Sequence, residues 1–322
     1  AQISKQVSDF MQSLFEAPDP FGRKGKDVTA REILDEASTR IASELKDQPE
    51  VQAKLALAMG GSYYELAIND KAEELAQMAL AIDRRQAGEK SATRAEALSL
   101  LGSIKMRQDD LVNAEKLTRE ALEIHRKVHG PDSSEAAQCI NNIATININK
   151  GDLKKAEEGL RESLAVYRKA LGNEHEDVAT VMNNLALVLK FQERISEALP
   201  LYLEVLSLRR KLFGPSHPYV ANSLNNLGML YLRLKNYPEA DKCLQEALLI
   251  NRKSLGEDRV TTNLFNLGLL NYERGQLSLS EDYHRQALGI AEKRYGKNSP
   301  ELAEFFKGLG VVLTRERRFL EA

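Results

Sequence analysis

The sequence has no tryptophan, only nine prolines and only two cysteines, Cys139 and Cys243. So few prolines leave long stretches free to be helical, because each interior proline removes a helix hydrogen bond. Two widely separated cysteines do not make a disulfide framework and read as free thiols. An excess of one charge is lacking too: 45 basic residues stand against 47 acidic ones. With no basic stripe and no aromatic–basic interleaving, neither nucleic acid nor a polyanionic membrane is implied as a partner. No apolar run approaches the roughly 18 to 20 residues that a membrane helix needs, so no membrane span is expected.

Catalytic signatures are also missing. There is no phosphate loop, no dinucleotide fingerprint and no recognisable nucleophile constellation. The five histidines are His125, His129, His175, His217 and His284. His175 and His217 hold equivalent places in a repeating pattern, which explains them better than catalysis does. His125 and His129 can share a helix face, but no further ligand lies near them and zinc needs more. The expectation is a non-enzymatic chain with no catalytic residues, no metal and no cofactor.

What the sequence does contain is a repeat. Gly130, Gly172, Gly214 and Gly256 recur at a spacing of 42 residues. The pairs Asn141 and Asn142, Asn183 and Asn184, Asn225 and Asn226 share that spacing, as do Ala121 and Leu122, Val205 and Leu206, Ala247 and Leu248. The register slips by two residues after Gly256 and resumes at Asn266, Leu267 and Gly268. Several features sharing one period mark an array of supersecondary units.

Each unit reads as two amphipathic helices. In one, 181–191 forms the first helix, 192–196 a tight break and 197–211 the second helix. Ala198, Leu201, Tyr202, Val205 and Leu208 lie on the packed face of that second helix. Small residues such as Ala186, Gly228, Gly268 and Gly310 let the two helices approach. Basic pairs such as Arg126 with Lys127 and Arg210 with Lys211 close the second helix and complement its dipole. A glycine then ends it. The prediction is an all-α, right-handed superhelical solenoid of helix–turn–helix repeats.

Six units are placed at 53–302, with 303–322 the first helix of a truncated seventh. Residues 1–52 are expected to cap the array. There, 2–16 reads as an amphipathic helix and 18–26 as a turn. Thr29, with Glu32 completing a capping box, starts a helix running to about Lys46. The lack of an initiator methionine and the stop in mid-pattern lead to the expectation of a piece of a longer protein.

The pattern resembles the tetratricopeptide-repeat family, in the 42-residue variant found in kinesin light chains and many bacterial regulators. The residues carrying it are His217-Pro218-Tyr219-Val220-Ala221-Asn222-Ser223-Leu224-Asn225-Asn226-Leu227-Gly228, then Tyr237-Pro238-Glu239-Ala240 and Glu246-Ala247-Leu248. The resemblance spans 53–322. A narrower one covers Asp9-Phe10-Met11, Phe15-Glu16-Ala17-Pro18-Asp19-Pro20 and Thr29-Ala30-Arg31-Glu32-Ile33-Leu34-Asp35. That segment is similar to one preceding such repeats in large bacterial proteins with an amino-terminal serine/threonine kinase domain. A membrane span often separates the two, which leaves the compartment open. Departures from the repeat pattern are Ser280 and His284 in the last complete unit, and Asn69 and Asp70 in the turn of the first. Less regular packing is expected there.

The resemblance implies a concave face lined by the first helices. Its fifth position reads Leu57, Ser99, Asn141, Asn183, Asn225, Phe265 and Lys307. An amide carries a donor and an acceptor, so Asn141, Asn183 and Asn225 can pair with the backbone of an extended peptide. The adjacent Asn142, Asn184, Asn226 and Asn266 are expected to bond within the array. Neighbouring concave positions hold Thr145, Leu187, Met229 and Leu269, then Ile148, Lys190, Leu232 and Tyr272, then Asn149, Phe191 and Arg233. This mixture does not resemble a purely basic clamp for a carboxyl terminus. The expected partner is a protein or extended peptide, with the chain a sensor or scaffold of a larger bacterial signalling protein. The alternative is self-association as a homo-oligomer, or packing against a kinase domain in cis.

Overall fold

A computed structural model describes residues 30–45, 47–86 and 91–315. The helix expected at 2–16, the turn at 18–26, the Thr29 cap and 316–322 lie outside the described residues. Among the described residues, fourteen α-helices follow one another and there is no strand. They are α1 (Ala30–Glu44), α2 (Pro49–Glu65), α3 (Asn69–Gln86), α4 (Ala92–Arg107), α5 (Leu111–Val128), α6 (Ser134–Asn149) and α7 (Leu153–Leu171). Then come α8 (Glu176–Phe191), α9 (Ile195–Phe213), α10 (Pro218–Arg233), α11 (Tyr237–Leu255), α12 (Thr261–Glu273), α13 (Leu277–Tyr295) and α14 (Ala303–Arg315). The chain divides into two compact units, Ala1–Leu171 and Gly172–Ala322. The first holds α1 and the pairs α2/α3, α4/α5 and α6/α7. The second holds α8/α9, α10/α11 and α12/α13, then α14.

One turn serves every pair. After α8, Arg194 N–H donates to Leu189 C=O at 2.9 Å and Glu193 N–H to Lys190 C=O at 3.2 Å. This is the six-to-one and five-to-two bonding of a Schellman cap, with Glu193 in the left-handed region at φ 62°. Arg194 C=O then accepts from Ala198 N–H at 3.1 Å, so the residue that closes one helix opens the next. That double duty starts α9 at Ile195, two residues before the expected 197. The same left-handed place is held by Ala67, Asp109, Gly151, Lys235 and Gly275. The turn carrying Asn69 keeps this geometry, with Ile68 N–H on Tyr63 C=O at 2.9 Å.

The second helix ends differently. Gly214 has φ 80° and ψ 165°, a region essentially closed to residues with a Cβ. The next first helix is capped across that loop. His217 Nδ1 accepts from Tyr219 N–H, and His175 Nδ1 from Asp177 N–H, both at 3.2 Å. The two equivalent histidines are helix caps. After Gly256 the shortened loop tightens into a 3-10 turn, Glu257–Arg259, and Val260 is fully buried beneath α12.

In the first unit, α1 contributes Ala37 and Ile41 to a core with Leu55, Met59 and Leu75. Tyr63 O–H donates to Asp35 Oδ1 at 2.6 Å, tying α2 to α1. In the second unit, Leu224, Leu227 and Leu230 of α10 and Leu264, Leu267 and Leu270 of α12 are buried. Each such leucine contributes about 1.5–3 kcal/mol of transfer free energy. Ser280 is absorbed by a 2.8 Å bond to Gly268 C=O, and His284 is 1% exposed against Gly268 and Gly308. The basic pairs also bridge repeats. Arg126 meets Glu162 at 3.0 Å and Arg210 meets Glu246 at 2.6 Å, while Lys169 reaches back to Asp132. These pairs are exposed and each is worth about 0–1 kcal/mol. No described helix is long and apolar enough to cross a membrane.

Candidate functional site

The asparagine pairs interlock between adjacent first helices. Asn226 Nδ2 donates to Asn183 Oδ1 at 2.9 Å, and Asn266 Nδ2 donates to Asn225 Oδ1 at 2.9 Å. Asn226 and Asn266 therefore bond within the array, as expected of them. Asn183 and Asn225 each accept one of these bonds at Oδ1 and donate from Nδ2 in neither. Asn183 and Asn225 are half-buried, and each amide oxygen has a second lone pair beyond the one these bonds use. Asn141 is half-buried on α6, and its C=O accepts from Thr145 Oγ1 at 3.0 Å.

The remaining sequence-predicted positions are spread along the first helices. Leu187, Met229, Leu269, Ile148 and Leu232 are half-buried, while Asn149 is exposed. Phe191 is 50% exposed, and Lys190 Nζ lies 5.3 Å from its ring centroid. Burial, then the nearby Arg233 charge, holds the Lys190 ammonium below its ordinary range. Arg233 is engaged by Glu193, with Nε on Oε2 at 3.1 Å. Tyr272 carries the Arg315 guanidinium over its ring at 4.6 Å. Phe265 is half-buried and packs edge-on against His284 at 4.9 Å and Phe305 at 6.0 Å.

In the second unit, Asn183 and Asn225 open onto a cavity of about 610 Å³. Around it lie Glu176, Arg209, Asn222, Asn251 and Arg259. Leu187, Met229, Lys190, Leu232, Phe191 and Arg233 are not part of its lining, because the cavity sits at the amino-terminal halves of the first helices. Arg209 is 5% exposed. Its Nη1 donates to Ser223 Oγ at 2.9 Å, Asn222 Oδ1 at 3.2 Å and Tyr219 C=O at 3.3 Å. Its Nε is buried with no acceptor. Burial lowers the guanidinium's affinity for its proton, yet an arginine stays cationic.

Arg209 belongs to a column that sequence reasoning missed. Asp83, His125, Tyr167, Arg209 and Asn251 stand at one place in successive second helices, 42 residues apart. Among the described residues, eight buried side-chain polar atoms lack a hydrogen-bond partner, and four are in this column: Asp83 Oδ2, His125 Nδ1, Arg209 Nε and Asn251 Oδ1. The available signal was a position whose chemistry changes at every repeat within an otherwise regular helix. Arg209 escaped because it adjoins the basic pair Arg210 and Lys211.

The first unit has its own cavity, of about 560 Å³, with Lys54, Glu65, Glu96, Ser99, His125 and Glu135 in its lining. Burial raises the Glu96 carboxyl above its usual range, and burial, then His129, lowers His125. Carboxylates dominate here, whereas two guanidiniums face one carboxylate in the second unit. Among the described residues no group of three or more His, Cys, Asp or Glu side chains is placed to hold a metal.

Paired helices repeated on one turn geometry define an α-solenoid, with polar side chains held at fixed intervals on the first-helix face. A profile of the tetratricopeptide repeat matches 93–169, 137–211, 177–253 and 219–293, more than half of the chain in all. The chain belongs to the tetratricopeptide-repeat family. Among curated proteins there is no match. Solved structures share the fold at low identity. A Rap protein complexed with Competence and Sporulation Factor gives a TM-score of 0.67 at 14% identity, over 99% of this chain and 88% of that one. The Rap conjugation gene regulator of plasmid pLS20, in complex with the Phr* peptide, gives 0.65 at 17%, over 96% and 78%. BtubC (BKLC) from P. vanneervenii gives 0.57 at 24%, over 72% and 91%.

Proposed function

We propose that this chain is a protein-interaction module that holds an extended peptide or protein segment against its first helices. Asn183 and Asn225 donate to the segment's main-chain carbonyls, and half-buried apolar neighbours such as Leu187 and Met229 take its side chains. The observation carrying this reading is the pair of interlocked amides. Asn226 and Asn266 hold the two donors in one orientation at one-repeat spacing, so little ordering entropy remains to be lost on binding. The Phr* peptide bound by the Rap regulator of the same fold is consistent with it. The resemblance of the amino-terminal segment supports a role as the sensor or scaffold region of a larger bacterial signalling protein.

The test is selection from a random-peptide display library on the wild-type chain, followed by affinity measurement on Asn183→Ala/Asn225→Ala. Loss of two ligand bonds should weaken binding by roughly tenfold or more, at about 0.5–1.5 kcal/mol each. A folded double variant that binds equally well sinks the mechanism. Failure to select any peptide, with molecular mass rising with concentration in light scattering, would shift the reading to self-association.

A further inference from the structure

We infer that His217 is a proton-operated catch on α10: when its imidazole takes up a proton, the first turn of that helix loosens, and with it the face that carries Asn225. The catch stands on its own geometry; its effect on a bound segment rests on the peptide-binding reading above.

One register of the array caps successive first helices. Ser91, Ser133, His175 and His217 stand 42 residues apart, at the N-caps of α4, α6, α8 and α10. Ser91 and Ser133 accept through Oγ, from Arg94 N–H at 3.0 Å and Ala136 N–H at 3.2 Å, and a hydroxyl keeps its lone pairs at any ordinary pH. The two histidines accept through Nδ1, which only a neutral imidazole can do. An imidazolium has no acceptor, and it sets a cation at the positive end of the helix. Histidine is also the side chain whose ordinary charge change falls between about pH 5 and 8. Two caps of the second unit can therefore be released by mild acid, while the serine caps of the first unit cannot.

The two imidazoles differ in what meets the proton. Asp177 Oδ2 lies 3.3 Å from His175 Nδ1, so a proton there gains a carboxylate and α8 keeps a tie in its first turn. The residue at the place of Asp177 in α10 is Tyr219, and among the described residues no carboxylate is ion-paired with His217. The His217 ring stacks on Phe213 at 4.7 Å and tilts against Tyr219 at 5.0 Å. Those rings attract a cation, but they cannot replace the acceptor that Tyr219 N–H loses. The charged groups around this turn are Arg209, Arg210 and Lys211 of α9, Glu176 of α8 and Arg259 ahead of α12. Arg210 is engaged by Glu246 and Lys211 by Glu174, while Glu176 already acts on the buried Arg209. The Arg209 guanidinium sits 5.6 Å from the same Tyr219 ring, so a second cation at His217 is unwelcome there. The turn matters beyond its own bond. Tyr219 C=O, Asn222 Oδ1 and Ser223 Oγ are the acceptors of Arg209 Nη1, and loss of the cap loosens the docking of α10 on α9 at that buried side chain. Asn225 and Asn226 lie in the next turn, and Asn226 is the residue that holds Asn183.

The experiment is an NMR titration of the full chain from about pH 7.5 to about pH 5.5, following the His175 and His217 rings and the capped amides of Arg94, Ala136, Asp177 and Tyr219. The Tyr219 amide should move in step with the His217 ring. Protection of the amides of 221–225 from hydrogen exchange, corrected for the intrinsic pH dependence of exchange, should fall roughly fivefold, the scale of one lost cap. The Arg94 and Ala136 amides should not move, and α8 should keep its protection. His217→Ser installs the residue that the array uses at 133, so it should keep the cap and abolish the response of α10. His217→Asn carries the test if the serine variant does not fold. A His217 ring that takes up no proton in this range, one that does so without moving the Tyr219 amide, or an α10 response that survives in a folded variant overturns the catch. A histidine-free peptide selected on the wild-type chain should bind more weakly at the lower pH, by up to the same fivefold, and lose that dependence in His217→Ser. Equal affinity at both pH values, for a peptide that Asn225→Ala weakens, overturns control of the binding face. If no peptide is selected, the titration still decides the catch and only the peptide reading falls.

Discussion

Asn226 lends its amide hydrogen to the Oδ1 of Asn183, 43 residues earlier and one repeat away, at 2.9 Å. The bond crosses from α10 to α8 and uses the Asn183 oxygen, not its Nδ2. Asn266 does the same for Asn225. On the proposed reading one side chain serves both ends: its oxygen holds adjacent repeats together and its nitrogen donates to the bound segment.

This division is separable by mutation. Asn183→Asp keeps an oxygen for Asn226 and removes both donors. Thermal stability should change by less than about 1 kcal/mol, while affinity for a selected peptide falls by roughly tenfold, the scale of one buried bond lost and a carbonyl facing a carboxylate. Asn226→Ala should do the reverse, costing about 1 kcal/mol of stability and weakening binding only through a freed Asn183. Calorimetric affinity measured beside the melting curve separates the two. Wild-type affinity in Asn183→Asp would show that the amide donates to nothing.

The period, the helix pairs and the closing glycines were legible in the sequence because each follows from local chemistry repeated at one spacing. Gly214 recurs because its backbone angles admit little else. The start of α9 was not legible, because Arg194 serves as the end of one cap and the start of the next helix. The roles of Asn183 and Asn226 could be sorted only in part. The sequence shows two adjacent amides, but which atom faces the neighbouring repeat depends on the distance between helices. Arg209 was hidden for a related reason. A charge near a helix end reads as a solvated dipole partner, and only packing by the next first helix makes it buried.

The left-handed turn residues offer a stabilising change. Lys235 has φ 56° and makes no side-chain hydrogen bond or ion pair among the described residues, whereas Gly151 and Gly275 hold the same place without a Cβ. A left-handed conformation costs a residue with a Cβ about 1–2 kcal/mol, offset in part by glycine's greater freedom when unfolded. Lys235→Gly should therefore raise stability by about 0.5–1 kcal/mol in denaturant melts. A loss of stability would show that the turn is not strained.

His284 sets a pH dependence. It is 1% exposed, its Nδ1 has no partner, and burial pushes its pKa down to about 4 from an ordinary 6.5. The folded state therefore binds fewer protons than the unfolded state between those values. Its contribution is fully present above about pH 6.5 and is lost as pH falls toward about 4. The loss is at most roughly 3 kcal/mol, at about 1.4 kcal/mol for each tenfold change in proton affinity. Hydrogen exchange of α12, α13 and α14 at about pH 7 and about pH 4.5, on either side of most of that window, should show selective loosening at the lower value. A His284→Leu chain should lack that difference; an equal loosening in it would assign the effect to other groups.

The same histidine makes a packing prediction with a sharper reading. A Cβ added at Gly268 would fall 2.7 Å from His284 Nε2, and the adjoining ring carbons lie within 2.8 Å. The ring cannot swing clear, because Gly308 closes its other side and Phe265 meets it edge-on at 4.9 Å. Gly268→Ala should therefore destabilise by about 1–3 kcal/mol, the cost of overpacking a filled site. His284→Ala alone should also destabilise, by leaving a void lined by those three residues. Together the two should cost less than their sum, since each removes the other's fault, with a coupling on the order of 1 kcal/mol. Chemical denaturation of the four proteins measures it. Strict additivity would mean that α12 and α13 move apart to admit the methyl group, and that close approach at Gly268 is not what positions the last complete repeat.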